Sequence, residues 1–257
     1  LAMGGAIWSC PIEQMLQFPA RTFVRFFHNH GLLTINDQPQ WYTVTGGSKE
    51  YVKRLAASLK NPVRMSLPIK RVKKQNQGVL IETESGENQL YDHVIFACHA
   101  DQALKLLAKP TAQQQEILSR VRYQPNLAVL HSDESFMPKN KQCWASWAYH
   151  CDSREDKNPA ISLTYWMNNL QNLKGQSLFV TLNPAHMPDA EKIHNQYMFE
   201  HPVFDQGAIE AQQQLGDIQG KDNMWFCGAW TRYGFHEDGL TSGLAVAESL
   251  GAHIPWK

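Results

Sequence analysis

Residues Trp225 to Gly251 read W-F-C-G-A-W-T-R-Y-G-F-H-E-D-G-L-T-S-G-L-A-V-A-E-S-L-G. Asn223 to Ala229 has the apolar run of a buried strand; the chain then passes Gly228, crosses a loop of aromatic and polar residues, and re-enters a helix at Gly239. Leu244, Ala245, Ala247, Glu248 and Leu250 suit a helix over Leu240 to Leu250. Glycine lets backbone approach a ligand closely, and a helix start offers unpaired N–H groups to a phosphate or to a carbonyl gaining negative charge. Strand, glycine and helix in that order mark a cofactor edge. A plainer reading also stays open, in which Gly228 and Gly239 serve turns and Gly243, Ala245 and Ala247 permit close helix–sheet packing.

Working upstream, Gln89 to Ala97 ends in D-H-V-I-F-A, the pattern of a strand buried on both faces of a parallel sheet, and Asp101 to Leu107 leaves it as a helix. Ile69 to Lys73 and Gly78 to Glu84 read as a hairpin. Ser48 caps a helix with Tyr51, Val52, Leu55, Ala56 and Leu59 on one face, stopped by Asn61-Pro62. Pro11 opens a helical run through Phe27 that Pro19 splits and Asn29 to Gly31 ends. Leu32 to Ile35 and Trp41 to Val44 read as short strands around a turn at Asn36 to Pro39. After a helix at Thr111 to Arg120 come strands at Leu127 to His131, Cys143 to Tyr149, Ala160 to Met167 and Ser177 to Leu182. Such a series favours an antiparallel sheet over more βαβ units, with Asp133 to Gln142 and Asp152 to Pro159 as exposed connections. Gly207 to Leu215 reads as a helix. The fold class is mixed α/β (α+β), with α/β pieces at both ends that pack together and an antiparallel insertion between them.

Composition narrows the function. At 43% hydrophobic and 19% charged residues the 257-residue chain fits a folded globule and not a disordered or fibrous class. Lys plus Arg equals Asp plus Glu at 24 each, so no net positive field attracts a phosphate backbone, and no nucleic-acid partner is expected. No run reaches the roughly 18 apolar residues of a membrane span, so none is expected. Cysteines 10, 98, 143, 151 and 227 form no C-x-x-C pair, which suggests neither a disulfide framework nor a zinc site and points to a reduced cytoplasmic setting. No metal site is read from the dispersed histidines.

G-A-W from Gly228 and G-F-H-E-D-G-L-T-S-G-L-A-V-A from Gly234 resemble the closing FAD-binding segment of the flavin-containing amine oxidase family, in particular its bacterial predicted NAD/FAD-binding oxidoreductase branch. The likeness extends to I-W-S from Ile7, F-P-A from Phe18, N-H-G-L-L from Asn29, Q-W-Y-T-V-T-G-G-S-K-E-Y-V from Gln40, T-Y-W-M-N-N-L-Q from Thr164 and H-P-V-F from His201. It implies an FAD/NAD(P)-binding amine-oxidase-like fold with an interleaved substrate domain. Residues 1–45 and 111–205 would carry the substrate domain, and residues 46–110 and 206–257 the FAD-binding domain. The resemblance implies that Gly228 and Ala229 approach the FAD pyrophosphate or ribityl chain. It sets the backbone around Glu237, Asp238, Gly239 and Leu240 at the flavin pyrimidine edge, and Ile69 against adenine. Most relatives have an acidic residue where Ala229 stands, so only backbone contact is expected there. His236 falls where an aromatic cage residue sits and is the expected catalytic residue beside the flavin.

No G-x-G-x-x-G occurs in the chain, although that motif normally holds a dinucleotide pyrophosphate. In the family it lies upstream of the material matching Leu1. The expectation is therefore a truncated form of the fold, whose partners are the missing N-terminal segment of the same protein and a small-molecule substrate. Flavin would accept a hydride equivalent from an apolar or amine substrate. Trp144, Trp147, Tyr149, Tyr165 and Trp166 divide between sheet core and a substrate cavity. Two other readings stay open: a noncatalytic interaction module on an oxidase-like fold, and a thiol hydrolase using Cys98 and His99.

Overall fold

The computed structural model describes residues 2–8, 15–16, 18–34, 36, 40–151 and 161–256. The expected helix start at 11–14, the turn at 37–39 and the connection at 152–159 lie outside them. The chain forms two compact units, residues 64–123 with 202–257 and residues 1–63 with 124–201. Each unit is thus built from two separated stretches of chain.

In the unit formed by 64–123 and 202–257, β1 (Ile69–Gln75), β2 (Gly78–Thr83) and β3 (Asn88–Tyr91) form an antiparallel meander. β4 (Val94–Phe96) instead joins β10 (Met224–Phe226) in a parallel pair, with Phe96 opposite Phe226 and the two rings stacked at 5.1 Å. The single strand expected over Gln89 to Ala97 is therefore two strands of different sheets, broken at Asp92 and His93. Burial on both faces is corrected as well: Val94 and Phe96 are buried, while Ile95 is 46% exposed. α4 (Ala100–Leu106) follows β4, α5 (Ala112–Ser119) follows it, α7 (Gln206–Gln214) opens the second stretch and α8 (His236–Ser249) follows β10. Val72, Val79, Leu118, Ile218, Phe226 and Trp230 form the centre of one buried apolar cluster.

The outer edge of β10 is closed by its own upstream loop. Gln219 Nε2 donates to Phe226 O at 2.6 Å, Phe226 N donates to Gln219 Oε1 at 2.9 Å, and Gly220 N donates to Met224 O at 2.9 Å. A side-chain amide thereby stands in for a neighbouring strand, the kind of cover that keeps an edge from pairing with another chain.

In the unit formed by 1–63 and 124–201, β5 (Arg122–His131, whose first two residues lie in the other unit), β6 (Trp147–Cys151), β7 (Ile161–Trp166), β8 (Phe179–Leu182) and β9 (Ile193–Val203, whose last two residues do so too) form a sheet in the order β6-β7-β8-β5-β9. The β6–β7, β7–β8 and β8–β5 pairs are antiparallel, as the pattern predicts. β9 was not foreseen: its polar residues and Pro202 conceal the alternation of Tyr197, Phe199, His201 and Val203. α6 (Met167–Gln171) follows β7. α1 (Ala2–Trp8) and α2 (Ala20–Asn29) bring Trp8, Phe26 and Phe27 together, with Pro19 at the N-cap of α2 as the split predicts. Residues 31–33 are a turn and 41–44 have no regular pairing, so neither short strand expected there forms. α3 (Lys49–Ser58) forms as expected but buries none of its residues.

Candidate functional site

Both strands of the parallel pair run into helical segments at their carboxyl ends, the place where open α/β sheets bind ligands. The two ends are tied together by Trp230, buried in the short 3-10 turn Ala229–Thr231, whose Nε1 donates to Cys98 O at 3.1 Å. Gly228 has φ +149, and a Cβ there would lie 2.8 Å from Trp230 Cδ1. The indole thus occupies the space a side chain at 228 would need.

The polar backbone of Gly228 is already engaged. Its N–H donates to Ser242 Oγ at 2.9 Å, and its carbonyl accepts from Thr231 Oγ1 at 2.9 Å. Gly228 therefore supplies close approach and a fixed loop instead of a free hydrogen bond. Ala229 begins the 3-10 turn, where an N–H has no acceptor within the helix. It lies next to the first turn of α8: a Cβ on Gly239 would be 3.7 Å from Ala229 N.

α8 begins at His236, three residues before the expected entrance. Gly239 N already donates to Phe235 O at 3.1 Å, so the donors left by helix geometry are the N–H groups of His236, Glu237 and Asp238. The adjacent acids diverge. Glu237 is exposed, whereas Asp238 is buried and its Oδ2 accepts from Phe235 N at 3.0 Å and Tyr233 N at 3.3 Å. Asp238 is a cap that holds the 233–235 turn, and its charge sits favourably at the positive end of the helix. His236 and Leu240 are exposed. Seven of the eight sequence-predicted site residues thus fall within one stretch, Gly228 to Leu240, made of a 3-10 turn, a loop and the first turn of α8. Ile69 is elsewhere, at the start of β1, with its side chain against the apolar cluster.

Cys98 does not have the setting of a nucleophile. Burial, with Asp101 and Cys227 adding to it, pushes its thiol up to about 11. His99 stacks on Tyr123 at 4.1 Å, and the Tyr123 hydroxyl accepts from Ala100 N at 2.9 Å. A buried thiol held above its ordinary range, next to a His99 ring stacked on Tyr123, speaks against the hydrolase reading.

In the sheet of the other unit, strand alternation divides the five aromatic candidates between two faces. Trp147 pairs with Tyr165 across β6 and β7, ring centroids 5.7 Å apart, and shares a face with Tyr149, Leu163, Val180 and Leu182. Trp166 lies on the opposite face, with Trp144 packed edge-on against it and against Phe179. That second face also carries a polar chain which sequence reading missed: His131 Nε2 bonds Thr181 Oγ1 at 2.7 Å, and Thr181 bonds Thr164 Oγ1 at 2.8 Å. Asp133 N donates to His131 Nδ1 at 3.1 Å, which leaves Nε2 as the protonated nitrogen of a neutral ring. No motif marks these residues; only the strand register brings them together. Among the described residues no group of three or more His, Cys, Asp or Glu is placed to hold a metal ion, and no helix is long and apolar enough to cross a membrane.

The chain combines an α/β unit, with a glycine turn at the carboxyl ends of a parallel strand pair, and an antiparallel-sheet unit. The chain belongs to the flavin-containing amine oxidoreductases, whose sequence profile matches residues 2–198. FAD is the cofactor of that fold. Among solved structures it is similar to a CLA-producing fatty acid isomerase from P. acnes, at 14% identity and a TM-score of 0.58, over 80% of this chain and 52% of that one. It is also similar to a protein from Exiguobacterium sp. 255-15, at 11% identity and a TM-score of 0.60, over 90% of this chain and 57% of that one. Reduced UDP-galactopyranose mutase matches at 12% identity and a TM-score of 0.55, over 80% of this chain and 52% of that one. At these identities the likeness is one of fold, and the chain spans just over half the length of each structure. No curated protein sequence matches the chain significantly.

Proposed function

We propose that this protein is the flavin-binding and substrate-binding framework of an FAD-dependent oxidoreductase acting on a small apolar or amine substrate. The observation that carries this reading is the Gly228–Ala229 turn packed against the start of α8, at the carboxyl ends of a parallel pair, in a member of a flavin family. Residues 46–110 and 206–257 are assigned to the cofactor, and residues 1–45 and 111–205 to the substrate.

The residues present fit an oxygen-rich dinucleotide in donor type. Gly228 makes room for the Trp230 indole and fixes the turn, Ala229 and the first turn of α8 present N–H groups, and Asp238 is turned inward, with its carboxylate engaged by Phe235 N. When bound, FAD supplies the hydride acceptor for oxidation at a C–N or C–C centre. The N–H groups of His236, Glu237 and Asp238 would hold the flavin's pyrimidine edge as fixed donors, which act best where negative charge develops. Glu237, exposed at the same turn, and Asp238, engaged as a cap, are not assigned proton transfer. His236, exposed at the start of α8, would be the side chain beside the flavin, and the Ile69 backbone would hold adenine. Within the other unit, Trp147, Tyr149 and Tyr165 form an apolar aromatic sheet face, on which burial pushes the Tyr165 phenol above its ordinary range.

Anaerobic addition of substrate to the flavin-loaded protein should bleach its absorbance, and His236→Ala should slow that bleaching about tenfold or more while flavin content stays constant. Equal bleaching rates would remove His236 from the site. A loaded protein that no amine or apolar substrate bleaches would favour the noncatalytic module.

A further inference from the structure

Beside the proposed flavin turn, on the outer side of β10 and α8, lies a cleft of about 230 Å³. Its floor is apolar, with Leu215, Trp225 and Val246, and Thr241, Ala245 and Ser249 line it at helical spacing. Arg232 is the single charged residue of the lining. Its backbone is anchored, with N donating to Ala229 O at 3.2 Å and O accepting from Gln212 Nε2 at 2.6 Å. Arg232 is exposed at the cleft, and its guanidinium has no hydrogen bond or ion pair among the described residues. Most of the other polar groups are spent: Gln219 on Phe226, Ser242 and Thr231 on Gly228, Ser249 on Ala245 O at 2.8 Å. Thr241, like Arg232, keeps a side-chain donor uncommitted among the described residues.

We infer that this cleft is a binding site for a small carboxylate with a short apolar body. A fork of guanidinium donors matches the two oxygens of a carboxylate, and a hydroxyl beside it supplies a further donor. The apolar floor takes the body of the ligand. One cation with no second beside it suits a monoanion better than a phosphate dianion. Because Thr231 and Ser242 line the cleft and also hold Gly228, a bound anion touches the groups that fix the proposed cofactor turn.

Isothermal titration of the chain with benzoate tests the site, with Arg232→Gln, Arg232→Lys and Ala245→Leu compared by circular dichroism for intact fold. The expected result is saturable binding that Arg232→Gln weakens about tenfold or more, that Arg232→Lys weakens less, and that Ala245→Leu abolishes by filling the cleft. Absence of saturable binding overturns the proposal, as does a folded Ala245→Leu or Arg232→Gln variant that binds within twofold of the parent. Tighter binding of inorganic phosphate than of benzoate overturns the carboxylate assignment. Flavin content is not the readout, so this result stands apart from the oxidoreductase proposal.

Discussion

A methyl group added at Gly228 would meet the Trp230 indole at 2.8 Å on a backbone with φ +149, whereas one added at Gly239 finds its nearest neighbour, Ala229 N, at 3.7 Å. Gly228→Ala should therefore cost about 2–4 kcal/mol in urea unfolding through overpacking and backbone strain. Gly239→Ala, inside α8, should be neutral or stabilising by up to about 1 kcal/mol. The sequence shows two glycines flanking one loop; the indole and the φ of +149 at Gly228, against a helical Gly239, separate them. His131 makes a second residue-level prediction. Burial lowers its pKa to about 4 against an ordinary 6.5, Asp133 opposing and His194 adding to the effect. Between those values the unfolded chain binds the proton that the folded chain refuses. Stability should be complete above about pH 6.5 and fall as pH drops toward 4, by an amount on the order of a few kcal/mol. His131→Gln should lower stability at pH 7 and flatten that slope; an unchanged slope would show that His131 is not the titrating group. Asp133 acts lower. Burial raises its carboxyl, but the N–H groups of Asp189 and Ser135, with Lys192, outweigh that and hold it at about 2, so its contribution is lost only as pH falls from 3.8 toward 2.

Gln219 governs the outer edge of β10, because its amide both donates to and accepts from Phe226. Gln219→Leu keeps much of the bulk and leaves both backbone groups unpaired, which should cost about 2–4 kcal/mol in chemical denaturation. A change below about 0.5 kcal/mol would mean that water replaces the amide. At this scale the sequence is legible where an element makes its own pattern. Thr111 caps α5 through Gln114 N at 3.1 Å, and the antiparallel series follows its alternation, whereas Ser48 stands before α3 with no side-chain cap bond and the strand expected from Cys143 starts only at Trp147, after a 3-10 turn at Lys141–Cys143. It is illegible where a partner decides. D-H-V-I-F-A reads as one strand with the preceding residues, yet Asp92 and His93 divide the meander from the parallel pair, and only β10 shows which sheet β4 joins. Gln219 carries no local sign of its role, since the groups it pairs with are seven residues away. The apolar side of α3, with Val52 and Leu55 more than half exposed, reads as a core face and is not one among the described contacts.

Across the whole chain, interleaving was readable because apolar α/β stretches stand at both ends of an antiparallel series. The two compact units, 1–63 with 124–201 and 64–123 with 202–257, are each assembled from distant segments. The proposed site residues other than Ile69 lie in one continuous stretch from Gly228 to Leu240, so the sequence displays them together. What the stretch did not reveal is how its polar groups are spent, with Gly228 committed to Ser242 and Thr231, and Asp238 committed to Phe235. Those commitments leave the first-turn N–H groups of α8 as the donors of the proposed flavin edge. The most direct measurement is the amount of FAD released on denaturation from the protein purified in its natural reading frame, alongside a folded Gly228→Ala variant. The account predicts stoichiometric FAD in the parent and a marked loss in the variant; a folded parent that neither retains nor takes up FAD would contradict it.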